Sequence, residues 1–65
     1  MLLSSANNLD AIKGSIARFY CGQEMTLVPD GRFARTWKLV RDCDGKELTG
    51  VFVTLHRNRY RFEMI

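Results

Sequence analysis

The hydrophobic periodicity of this chain changes once, at Gly22, and that change constrains the fold more than any other feature. Before it, Leu9, Ile12, Ile16 and Phe19 fall at i, i+3, i+7 and i+10, which is one face of an α-helix. Asp10, Lys13 and Arg18 lie off the stripe. Ser5, Asn7 and Asn8 each offer a side-chain oxygen to cap a helix start, and Asp10 complements its positive end. Gly22 suits a helix stop. The spacing predicts a helix over about residues 5–20. Gly14 in its middle weakens it and suggests a close approach to a neighbouring element.

After Gly22 the period is two. Glu24–Val28 alternates, Phe33–Arg41 follows, Leu48–Leu55 is rich in β-branched residues, and Tyr60–Met64 alternates again. Between these runs stand Pro29-Asp30-Gly31, Asp44-Gly45 and Arg57-Asn58, residue types that turn a chain for stated reasons: Pro presets φ, and Gly and Asn accept positive φ. The expected fold is α+β. An N-terminal helix packs on one face of a four-stranded antiparallel meander in order 1-2-3-4, with strands at about 24–28, 33–41, 48–55 and 60–64.

Sixty-five residues make one domain, 1–65, and a chain this short buries only about 60% of its unfolded surface. Its 46% hydrophobic and 26% charged residues are those of a folded globular chain. The net charge of +3 is basic, and seven of the ten basic residues are Arg, whose planar fork suits phosphate, carboxylate and aromatic faces. No apolar run approaches the roughly 18 residues of a membrane span. No secretory leader is visible, so a cytoplasmic setting with Cys21 and Cys43 reduced is expected.

Two-residue turns at all three positions would set the strand register. One face then holds Met25, Leu27, Ala34, Thr36, Val40, Val51, Val53, Leu55, Tyr60, Phe62 and Met64, with Lys38 as a misfit. The other face reads in rows: Glu24, Trp37, Phe52, Glu63; then Thr26, Arg35, Thr54, Arg61; then Val28, Phe33, His56, Arg59, with Leu39 beyond the Trp37 row. A single helix covers one face of a sheet. The second face is therefore the expected binding surface, with Phe33, Arg35, Trp37, Leu39, Phe52, Arg59 and Arg61 as its working residues.

Three uses of such a face compete. Arg stems laid over Trp37 and Phe52 would leave a quiet surface. A protein interface, of which a homodimer is the simplest form, would use the same Trp and Arg residues as anchors. Single-stranded nucleic acid would stack bases on the aromatics and set phosphates on the arginines, although Glu24 and Glu63 flank the Trp37 row. The preferred expectation is a small non-enzymatic module for protein–protein contact, with itself or with a larger protein it modulates. A single-stranded nucleic-acid-binding module is the alternative.

Other chemistry finds little support. Two cysteines and His56, expected at opposite ends of the sheet, do not make a tetrahedral zinc cluster, so no metal or other cofactor is expected. Asp42-Cys43-Asp44-Gly45-Lys46-Glu47 lacks the ligand set and flanking helices of a calcium loop. His56 has no definable nucleophile partner, and no Gly-rich phosphate loop is present. Neither a small-molecule substrate nor a membrane partner is expected; the helix stripe matches the sheet's apolar face better than a lipid surface.

Overall fold

Asn8 decides where the helix begins. Its backbone is extended (φ −146°, ψ 167°), and its side-chain oxygen accepts the Ala11 N–H at 2.8 Å, so the chain before it cannot continue the helix. In the computed structural model, which describes residues 1–65, α1 spans Leu9–Phe19 and the preceding Leu2–Ala6 forms a strand, β1. The helix expected from Ser5 thus starts four residues later. Of the four residues lost to it, Ser5 and Ala6 join the β1 ladder instead.

The remaining strands are β2 (Met25–Pro29), β3 (Thr36–Arg41), β4 (Lys46–Glu47), β5 (Val51–His56) and β6 (Arg59–Met64). They form one six-stranded antiparallel sheet in order β1-β6-β5-β3-β2, with β4 paired to β3 alone. The expected four-stranded meander in order 1-2-3-4 is therefore replaced by a larger sheet. β1 adds itself beyond β6, β4 forms ahead of the third expected strand, and that strand shortens to β5, which begins only at Val51.

Helix α1 closes with Tyr20 as its cap, Cys21 at φ 58° and Gly22 at φ 88°. Gly22 N–H reaches back to the Ala17 carbonyl at 2.7 Å and Cys21 N–H to Arg18 at 3.2 Å. This bond pair is a Schellman closure, and it places the left-handed residue at Cys21, one position before the glycine. Gly14 makes no close approach to the sheet. A Cβ there would meet only the Arg18 guanidinium, at 3.7 Å.

The core lies between α1 and one face of the sheet. Ile12 and Ile16 from the helix meet Met25, Leu39, Val53, Phe62 and Ala6, all buried. Phe19 closes one end of this layer edge-on to Phe62, with ring centroids 5.5 Å apart.

Register explains which side chains reach that layer. Leu27 lies opposite Leu39, not Ala34, because the Pro29-Asp30-Gly31 turn opens into a loop. Asp30 takes the Arg32 N–H on its carboxylate at 2.9 Å, its own N–H bonds the Thr36 carbonyl at 2.8 Å, and Arg35 adopts φ 54°. The displacement is five residues, an odd number, so β3 is turned over relative to β2. On its other side Trp37 lies opposite Val53, not Phe52. There the Asp42–Gly45 turn and an interruption at Leu48–Gly50, with Gly50 at φ 80°, add a net one-residue slip. Both slips are odd, so β3 alone exchanges faces. The β5–β6 turn follows expectation: His56 pairs with Arg59 across Arg57 (φ 50°) and Asn58 (φ 64°), the two positive φ values of a type I′ turn.

The flip removes the Lys38 anomaly. Lys38 now points away from the helix, and Trp37 and Leu39 take its place in the apolar layer. Ala34 leaves the sheet for the loop, while Thr36 and Val40 move to the outer face.

Candidate binding cleft on the open sheet face

One eleven-residue helix covers one face of the sheet and leaves the other bare. Cross-strand pairing puts Thr26, Val28, Thr36, Lys38, Val40, Glu47, Phe52, Thr54, His56, Arg59, Arg61 and Glu63 on the bare side. Where β4 and β5 part, this face sinks into an open cleft of about 660 Å³. Phe52, Lys38 and Glu47 come from the sheet, Phe33 and Asp30 from the β2–β3 loop, Leu48 to Gly50 from the break between β4 and β5, and Ile65 from beyond β6. The Ile65 N–H bonds the Gly50 carbonyl at 2.9 Å and fixes that wall.

The cleft is apolar between two ion pairs. Lys38 Nζ lies 3.5 Å from Glu47 Oε1, and Arg32 Nε lies 3.5 Å from Asp30 Oδ1. The Arg32 backbone N–H, seconded by the Arg32 and Lys38 charges, holds the Asp30 carboxyl below the usual carboxylate range. Each cation on the cleft thus has an anion beside it. Phe33, 61% exposed, stands at the rim with the Arg32 guanidinium 5.8 Å from its ring centroid.

The seven residues expected to share a binding face are dispersed. Phe52 lies on the open face, half-buried, and Phe33 joins it in the cleft. Arg59 and Arg61 lie on the same face but are engaged. Arg59 donates from Nε to Ser5 Oγ at 3.0 Å and from Nη1 to Asn7 Oδ1. Arg61 sits 3.9 Å from Glu63 Oε2, with its Nε buried and without a hydrogen-bond partner. Arg35 sits in the loop, where its carbonyl accepts the Leu55 N–H at 2.9 Å. Trp37 and Leu39 are on the helix side, Leu39 fully buried and Trp37 tilted against Tyr60 at 5.6 Å between centroids.

Asp30, Arg32, Lys38, Glu47 and Ile65 were not among the expected site residues. The signal for Lys38 was its misfit on an otherwise apolar face; the others depend on a loop length the turn residues do not reveal. No group of three His, Cys, Asp or Glu side chains is placed to hold a metal ion, and Cys21 and Cys43 are exposed free thiols. No helix is long and apolar enough to cross a membrane. Comparison of the chain with protein-family models, curated proteins and solved structures gives no match.

Proposed function

We propose that this chain is a small non-enzymatic binding module that meets a protein partner through the open face of its sheet. The cleft at Phe33 and Phe52 carries the reading: an apolar depression with a projecting aromatic on a face the fold leaves uncovered. Aromatic anchors in such depressions supply most of the energy in protein interfaces. A second copy of the chain is the simplest partner, and a larger protein that it modulates is the other form.

Single-stranded nucleic acid is less well supported than the residue types alone suggest. Phosphate binding needs cations free to replace counterions. Arg32, Lys38, Arg59 and Arg61 each have a carboxylate or another polar partner within the chain. A catalytic role has even less support, since His56 is exposed beside a turn and faces Arg59 across the ladder.

Sedimentation over a wide concentration range, with a parallel titration of a single-stranded oligonucleotide, tests the reading. Association with itself or with a protein partner is expected to be lost in Phe52→Ser and to change little with salt. Tight oligonucleotide binding with a steep salt slope would overturn it.

A further inference from the structure

Strand β4 is paired on one side only. Leu48 commits its N–H to the Leu39 carbonyl at 2.9 Å, so in the alternating geometry of a strand Glu47 turns its main-chain groups the other way. The Thr49 N–H, the Thr49 carbonyl and the Gly50 N–H have no backbone partner in the chain. Beyond β6, Ile65 reaches alongside Gly50 and donates its N–H to the Gly50 carbonyl, but it forms no bond to Thr49. An unpaired main-chain edge therefore borders the same cleft that Phe33 and Phe52 line.

We infer that the cleft takes an extended peptide segment, uncharged over its central residues, that runs along Glu47–Gly50 and sets one large apolar side chain against Phe33 and Phe52. This rests on the open-face reading and names the class of partner. Three independent observations select it. The free N–H and C=O groups are reciprocated by another main chain and by few other ligands, the mode by which a peptide adds a strand to a sheet edge. The apolar lining asks for an aromatic or large aliphatic anchor. The two ion pairs neutralise each other locally, so neither a polyanion nor a polycation finds an unmatched charge there. A volume of about 660 Å³ is ample for one large side chain with its adjoining main chain.

The experiment uses a library of N-acetylated, C-amidated nonapeptides selected against the full chain. Backbone amide shifts of the labelled chain are followed with the best binder. Selected peptides are expected to be neutral at their centre with a single aromatic or large aliphatic anchor, and to shift the Thr49 and Gly50 amides first. Phe52→Ser is expected to weaken binding by about tenfold or more. A chain synthesised with an ester in place of the Leu48–Thr49 amide loses a donor that serves no fold contact, so it should fold normally and bind more weakly. Selection of charged peptides, or shifts centred on β2 or α1, would overturn the inference. So would unchanged affinity in the ester chain. If no peptide binds while Phe52→Ser still abolishes association with a folded protein or a second copy, the inference falls and the open-face reading stands. If Phe52→Ser alters no association of any kind, both fall.

Discussion

Trp37 pairs across the β3–β5 ladder with Val53, and its ring leans on Tyr60 with centroids 5.6 Å apart. The single tryptophan is thus a half-buried part of the helix-side layer, not an anchor on the open face. Trp37→Ala should cost about 2 kcal/mol, roughly half of what truncating a fully buried aromatic costs. In a domain of this size that lowers Tm by on the order of 10 °C. Thermal unfolding followed by circular dichroism measures it. An unchanged Tm would show that the ring contributes no packing.

Gly14 sits inside α1 without any structural need for glycine. An added Cβ meets only the mobile end of Arg18 at 3.7 Å, an ordinary contact. Gly14→Ala should therefore stabilise the fold by about 1 kcal/mol through helix propensity. Urea unfolding gives the value directly. A loss of stability instead would mean that the helix must bend or open at this point.

Cys21 is the left-handed residue of the helix closure, at φ 58°, while the glycine that could adopt that conformation without strain is one place later. A non-glycine residue in the left-handed region costs about 1–2 kcal/mol, partly offset by the greater freedom of glycine in the unfolded chain. Cys21→Gly should accordingly gain a net stabilisation of about 0.5–1 kcal/mol. Cys21→Val, with a branched Cβ in the same conformation, should lose stability. The two changes moving Tm in the same direction would refute this account.

The outline of the fold was legible because it depends on period. The stripe from Leu9 to Phe19 and the alternating runs after Gly22 name their elements without reference to anything distant. β1 was not legible. Leu2–Ala6 carries no distinct period of its own, and its strand character comes from pairing with β6, from Ser4 opposite Phe62 to Ala6 opposite Tyr60. The site was legible only in part, because faces depend on turn length. Asp30-Gly31 reads as a tight turn, but Asp30 uses its carboxylate to cap Arg32 and the loop runs on to Thr36. That odd displacement carried Trp37 and Leu39 to the wrong side of the expected layout. Lys38, out of place on an apolar face, was the one residue that signalled the turnover.

Acid sensitivity should concentrate at the β3–β4 turn. Asp44 receives Arg41 Nε at 3.1 Å and Nη2 at 2.7 Å, and its Oδ1 also accepts the Lys46 N–H at 3.0 Å. The Arg41 hydrogen bonds, followed by the Lys46 N–H, lower its pKa to about 2. The unfolded value is about 3.9, so the folded state favours the ionised form. The stabilisation is therefore complete well above pH 4 and is lost as pH falls through the folded pKa near 2. Asp44→Asn should flatten the decline in Tm between about pH 4 and pH 2 relative to the parent chain. Asp30, also lowered by the Arg32 backbone N–H that its carboxylate accepts, should keep a residual slope in that variant. An Asp44→Asn chain with the parent's full acid slope would assign the sensitivity to other carboxylates.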